Sequence, residues 1–277
     1  MFEPCLEAGM RPSVRQAIRY MNSRFHEPIH MDDIASSVFV SRFHFCRIFA
    51  NATGVTPGKY LAAVRMFEAK RLLLTTSQSV ADIVCSVGYS SVGTFTTRFT
   101  QAVGMTPSQY RDPRVRDLHV SISPDFFHLP THHAMKRAGL TTSPRVAPKS
   151  GTGTVMVQLP TVASSTTVLV GVFAERIPQR PPVAFAYARR IDDRRAVISG
   201  VPAGNWYVSA VAEGVVDDER SGLAVATAKP VAVHSDRVEH VYVRLERVTH
   251  EHAPFAFSFA QASAADAYEP RMLGSAT

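Results

Sequence analysis

The stretch "GVTPGKYL" that begins at Gly54 returns fifty positions later as "GMTPSQYR", beginning at Gly104. A repeat constrains a chain more than any compositional figure, because one structural unit used twice must bury its apolar face twice. At the same offset Asp32 matches Asp82, Ile34 matches Val84, Ala35 matches Cys85 and Phe39 matches Tyr89. Ser41 matches Ser91, Phe45 matches Phe95 and Phe49 matches Phe99. Each copy predicts a helix, a turn and a second helix. "MDDIASSV" (31–38) and "VADIVCSV" (80–87) are short runs with apolar residues on one side. Gly88 suits a sharp turn, and Ser41 and Ser90 or Ser91 are good N-caps. The second helices, 41–53 and 91–103, are expected to bury Phe45, Ile48 and Phe49 in the first copy and Phe95, Phe99 and Ala102 in the second. Gly54 and Gly104 stop them. Thr56-Pro57 and Thr106-Pro107 then start new helices, with Thr as cap and Pro where no N–H is missed.

The opposite faces of those second helices carry the chemistry. The first keeps Arg42, Phe43, Cys46, Arg47 and Asn51; the second keeps Val92, Gly93, Thr94, Thr97, Arg98 and Gln101. Arg suits guanine, and Thr and apolar groups suit the thymine methyl, so the pair fits two readers of the major groove. Charge points the same way. Residues 1–116 hold 14 Lys and Arg against 8 Asp and Glu, a balance of +6, whereas residues 117–277 hold 16 against 15, a balance of +1. A basic region beside a nearly neutral one suggests a polyanion partner for the former. Ordinary helical bundles carry solvated polar faces too; the repeat, the charge and the turn chemistry together outweigh that reading.

On these residues, positions 13–112 resemble the DNA-binding domain of the AraC/XylS family. The block "VADIVCSVGYSSVGTFTTRFTQAVGMTPSQYR" is similar to the family signature nearly throughout. The resemblance covers about a third of the chain. It implies two helix-turn-helix units joined by a long helix, Pro57–Thr75, with recognition helices at 41–53 and 91–103. It implies base contacts at Arg42, Phe43, Cys46 and Arg47, and at Val92, Gly93, Thr94 and Thr97. Lys59, Arg65, Arg98 and Arg111 are the expected phosphate contacts, which position the protein without specifying sequence. One departure stands out: the first unit reads "VFVS" where a Gly-containing turn is common. The order is also the less usual one, with the reader first and the controlling region second.

The 277 residues suggest two domains at roughly 150 residues each. The fold expected is multidomain, α then β: an all-α double helix-turn-helix domain at 10–112, a connector at 113–150, an all-β sandwich at 151–250 and a partly flexible segment at 251–277. From 152 onward short Val- and Tyr-rich runs alternate with Pro, Gly and Asp pairs: 154–159, 166–175, 183–190, 196–200, 205–213, 223–228, 231–234 and 238–248. "VPAGNWYVSAV" is similar to a run common in prealbumin-like sandwiches, where a turn feeds a strand. Phe185, Tyr187, Trp206 and Tyr207 are candidates to line an effector pocket, although strand aromatics more often belong to a core. His119, His128, His132 and His133 crowd the connector and could hold a metal, although scattered linker histidines are far commoner, and Asp217-Asp218-Glu219 could be an acidic site but reads better as a solvated loop between strands.

No G-x-S-x-G, H-E-x-x-H or glycine-rich phosphate loop is present, so neither catalysis nor a cofactor is expected. No run of about 18 apolar residues exists, and the N-terminus does not read as a secretory signal. Three cysteines, Cys5, Cys46 and Cys85, make no disulfide framework and fit a reducing cytoplasm. The expectation is therefore a cytoplasmic, sequence-specific regulator of transcription, bound to double-stranded DNA. Its second region either binds a small-molecule effector, forms a homodimer or contacts another protein such as RNA polymerase. The alternatives are a nonspecific architectural binder and an enzyme with a DNA-targeting module. Effector, operator and the choice of activator or repressor stay open.

Overall fold

The computed structural model describes residues 11–140, 151–160, 167–188, 194–214 and 222–261. A helical region comes first and a sheet-rich region follows. The helices are α1 (Pro12–Arg24), α2 (Met31–Ser37), α3 (Arg42–Thr53), α4 (Pro57–Thr75), α5 (Val80–Ser86), α6 (Val92–Val103), α7 (Pro107–Tyr110) and α8 (Pro113–Asp117). Proline stands in the first turn of α1, α4, α7 and α8. It costs nothing there, since those N–H groups have no helical partner. α1, which the repeat does not announce, buries Val14, Ala17, Ile18 and Met21 on one stripe.

Two apolar cores form. The first gathers α1, α2 and α3 with Tyr60, Leu61 and Val64 of α4. The second gathers α5, α6, Tyr110 and Val115 with Met66, Ala69, Leu73 and Leu74 of α4. Helix α4 thus serves both, and eleven of its nineteen residues are buried. Its buried residues are spread around the helix rather than gathered on one stripe, because two cores and β11 pack on it.

The repeat is not uniform in register. α2 starts at Met31 and α5 at Val80, an offset of 49, whereas α3 and α6 start at Arg42 and Val92, an offset of 50. Ile34 and Ala35 are therefore matched in burial by Ile83 and Val84. The amide of Val40 reaches the Ala35 carbonyl as that of Tyr89 reaches Val84. Phe39 thus stands where Gly88 stands, not where Tyr89 does. Both are left-handed, with φ of 57° at Phe39 and 79° at Gly88. Gly88 has no choice, since a Cβ there would lie 2.4 Å from the Phe25 carbonyl oxygen. Phe39 keeps the same geometry against its own sterics.

The sheet-rich region has two facing layers. One sheet runs β10 (Glu246–Arg247), β7 (Gly222–Thr227), β6 (Gly204–Gly214), β3 (Thr167–Phe173) and β4 (Ala184–Ala188), with β8 (Val231–Val233) against the start of β6. The other runs β5 (Arg195–Pro202), β2 (Thr152–Gln158) and β9 (Val238–Tyr242), with β2 and β9 parallel. Val155, Val157 and Ile198 of one meet Val168, Val170, Val208 and Ala210 of the other in a common core. The runs read from sequence as strands coincide with β2 to β9. β5 and β6, however, lie in different sheets, so "VPAGNWYVSAV" is a crossing between layers rather than a hairpin.

The stretch expected as a connector is structured. Strand β1 (His119–Ile122) pairs antiparallel with β11 (Phe255–Ser258), and α9 (His132–Arg137) follows it. β11 comes from the segment expected to be a tail. All four residues of both strands are buried, and the two pair across more than 130 residues of chain, a contact with no local signal in sequence. This ribbon covers the outer face of the larger sheet, with Phe255, Phe257 and Phe259 against Leu169, Phe173 and Val211. It also packs on α4. There the Lys70 ammonium, fully buried, donates to the carbonyls of Ala256 (2.5 Å) and Gln179 (3.1 Å) and to Gln179 Oε1 (2.9 Å).

Two outcomes follow from this packing. Phe39→Gly removes the steric cost of the left-handed turn, and Phe39 is 92% exposed, so little packing is lost. Denaturant unfolding is expected to show the variant about 1 kcal/mol more stable. The second outcome concerns His119, whose ring stacks on His128 at 4.7 Å and whose Nδ1 is buried without a partner. Burial first, then His128 and Lys70, push its pKa from 6.5 down to about 3. The unfolded chain binds the proton the folded one refuses, so stability is whole above pH 6.5 and falls as pH drops towards 3. The slope is at most about 1.4 kcal/mol per pH unit. Measured against His119→Phe, the wild type should lose ground across that window; a constant difference contradicts the assignment.

Candidate nucleic-acid interface

α3 and α6 are built alike. Ser41 Oγ accepts from the His44 amide at 3.4 Å, and Ser91 Oγ accepts from the Thr94 amide at 3.3 Å. Each helix runs twelve residues and ends at a left-handed glycine, Gly54 or Gly104, whose N–H bonds back to Ala50 or Thr100. The buried stripe of α3 is Phe45, Ile48 and Phe49, as expected. That of α6 is Phe95, Phe99 and Val103. Val103 replaces the expected Ala102, which is half-buried, because the i, i+4, i+8 row continues one residue further.

The faces left outside carry most of the expected base-reading residues. Arg42, Phe43 and Arg47 are exposed on α3, Phe43 to 80%. Val92, Gly93, Thr94 and Thr97 are exposed on α6. Cys46 differs: it is half-buried and packs on the first helical core. Arg42 pairs with Asp32 of α2 at 3.3 Å, and Arg47 Nη2 lies 3.4 Å from His44 Nδ1. Both contacts are solvent-exposed and readily exchanged for another partner. A Cβ on Gly93 would meet nothing nearer than Ser91 Oγ at 4.0 Å, so no internal packing calls for a glycine there.

The four expected phosphate contacts divide. Lys59 and Arg98 are exposed. Arg65 and Arg111 are engaged within the protein. Arg65 Nε donates to the Phe25 carbonyl and Nη2 to the Glu27 carbonyl, both at 2.7 Å, and its guanidinium sits 5.7 Å from the Tyr89 ring centre. It joins the loop after α1 to the turn after α5. Burial lowers its pKa, against the opposing influence of Tyr89. Arg111 donates to the Gln78 carbonyl. Sequence cannot separate these pairs, because all four are cations within or beside the helices and only the fold shows which reach a carbonyl.

The aromatic quartet does not line one pocket. Trp206 points into the core between the sheets and donates from Nε1 to the Pro202 carbonyl at 2.8 Å. Phe185 and Tyr187 point to the opposite face of the larger sheet. There Phe185 packs on Phe259 at 4.7 Å, and the Tyr187 hydroxyl donates to the Pro130 carbonyl at 2.6 Å. Tyr207, next to Trp206 in β6, faces away from it because strand side chains alternate. Of the connector histidines, His128 Nδ1 donates to the His119 carbonyl at 2.7 Å and His132 stacks on Tyr187. Asp217-Asp218-Glu219 lies outside the described residues.

Sequence reasoning missed the arginines that meet the far ends of both helices. Arg176 Nε donates to the Thr53 carbonyl at 2.9 Å, at the end of α3. Arg180 donates from Nε to Ala102 at 3.2 Å and from Nη2 to Gln101 at 2.5 Å, at the end of α6. Both lie in the segment between β3 and β4, "ERIPQRPP", which signals only a proline-rich turn.

A helix-turn-helix domain model matches residues 34–113. The probable transcription factor PqrA of Proteus vulgaris is 36% identical over 87 residues, which cover 31% of this chain and 71% of that protein. The lactose operon transcription activator of Staphylococcus xylosus is 33% identical over 98 residues, 35% of each chain. A solved transcriptional regulator with an AraC-type DNA-binding domain, from Chromobacterium violaceum, is 35% identical, with a TM-score of 0.35 over 38% of this chain and 93% of that one. The chain spans about a third of the length of the first curated relatives it matches. Through its helical region, with its paired N-capped, glycine-terminated helices, the chain belongs to the AraC family of helix-turn-helix transcription regulators.

Proposed function

We propose that the protein reads two successive major-groove segments of one DNA duplex, with α3 in the first and α6 in the second. The observation that carries this is the pair of twelve-residue helices with like caps, each burying one stripe and leaving the other outside. Arg42 and Arg47 supply the forked donors that match guanine. Phe43 offers apolar contact to a thymine methyl. Val92, Thr94 and Thr97 read by methyl contact and shape, and Gly93 lets the α6 backbone approach closely. Lys59 and Arg98 neutralise phosphates, which gives affinity without sequence. Cys46 is a minor contact at most, since half of it is inside.

The sheet-rich region is, on this reading, a two-layer sandwich that controls the reader. Trp206 belongs to one of its cores and Phe185 and Tyr187 to the other, which supports a role in association or in transmitting a signal over a pocket built from these three and Tyr207.

Selection from a randomised duplex pool with full-length protein tests the reading. Two short blocks about one helical turn apart are expected. Arg47→Ala should relax preference in one block only and weaken binding by about 1–3 kcal/mol. Gly93→Ala should stabilise the free protein by about 0.5–1 kcal/mol and yet weaken or alter the other block. Affinity should fall steeply and linearly on a log–log plot against salt. Retention that tracks salt with no selected motif would leave a nonspecific binder instead.

A further inference from the structure

The two reading units share α4 but have separate cores, so the angle between α3 and α6 depends on whatever holds their free ends. One short segment of the sheet-rich region reaches both. Leaving β3, the chain places Arg176 on the last carbonyl of α3 and, four residues later, Arg180 on the carbonyls of Gln101 and Ala102 near the end of α6. Between them Gln179 takes two hydrogen bonds from Lys70 in α4. Three helices are thus tied to five consecutive residues, 176–180.

The chemistry suits the task. The last carbonyls of a helix have no partner inside it and carry its negative end, so an arginine fork both satisfies them and complements their charge. The segment is stiff: Pro178, Pro181 and Pro182 restrict its backbone, and Ile177 is anchored in the outer core of the larger sheet. The Arg176 side chain lies so close to the left-handed Gly54 that a Cβ there would come within 2.5 Å of Nε. All of these contacts are at the C-terminal ends of α3 and α6. Arg42, Phe43, Val92, Gly93 and Thr94 are at the N-terminal ends, which stay free for DNA.

We propose that Arg176 and Arg180 are positioning residues that set the spacing between the two DNA segments read by α3 and α6, and so make the sheet-rich region a determinant of sequence specificity. The inference rests on the two-segment reading proposed above. An event in the sheet-rich region that shifts β3 or β4 then changes which spacing is preferred, without touching a base-reading residue.

The test uses full-length protein and duplexes carrying the two selected blocks at the selected spacing, and one and two base pairs closer and further apart. The readout is the ratio of Kd at a shifted spacing to Kd at the selected one. The wild type and Arg195→Ala, a control that removes an exposed cation elsewhere on the same region, should both show ratios of about tenfold or more. In Arg176→Ala/Arg180→Ala the ratio should fall to about threefold or less, while base preferences inside each block stay as they were. Arg176→Lys/Arg180→Lys should lie between, since a point charge cannot reproduce the fork on two carbonyls. A merely structural role would lower the melting temperature and weaken every duplex in parallel, leaving the ratio intact. A folded double variant that keeps the wild-type ratio overturns this inference alone. A wild type that selects no two-block site overturns the reading of function and this inference with it.

Discussion

The structure depends on the burial of α4. A helix normally buries one stripe, and α4 buries more than half of its residues: one end serves the first helical core, the other serves the second, and β11 lies against it between them. Lys70 sits where that arrangement is hardest to satisfy. An ammonium removed from water needs acceptors on all its protons. It finds three, supplied by Gln179 and Ala256 from the sheet-rich region. Burial still pushes its pKa down to about 7, with Glu175 opposing the shift. The helical and sheet-rich regions therefore share a desolvated polar contact, and neither can leave without stranding it.

That contact gives the second region leverage on the first. The segment 250–260 reaches the first unit through bonds to Asn22 and Tyr60 and the second through Ala260, and β11 lies on α4 between them. The β3–β4 segment grips the ends of α3 and α6. Regulation needs two arrangements of one element with different affinity for a ligand. On the reading proposed above, two helices held from behind by a single stiff segment could form such an element, because a small displacement of the segment would change their separation.

Much of the helical region was legible in sequence. The bounds of α3 and α6 follow from capping serines, terminating glycines and the apolar row, and the start of α4 from Thr56 and Pro57, all of which are local. The repeat was legible too, except that its register slips from 49 to 50 at the turn. Only backbone geometry reveals that slip, since it makes Phe39 the counterpart of Gly88. The strands β2 to β9 were legible from β-branched runs and turn residues. β1 and β11 were not, because each is only four residues long and its partner lies more than 130 residues away in the chain. The aromatic quartet failed for a related reason: neighbours such as Trp206 and Tyr207 must face opposite ways, so four aromatics near one another in sequence cannot share one wall.

What the sequence alone determined, then, is the reader: two helix pairs with caps, stripes and free faces, because each of those features is set by residues within a dozen positions of one another. What only the tertiary structure decided is how the readers are held. It assigned Arg65 and Arg111 to carbonyls rather than to solvent, turned an expected connector into a strand and buried Lys70. It also brought Arg176 and Arg180 to helix ends more than seventy residues away in the chain. Those contacts join residues with no local relation, and a charge that meets its partner only after folding leaves no period or spacing in the sequence to announce it.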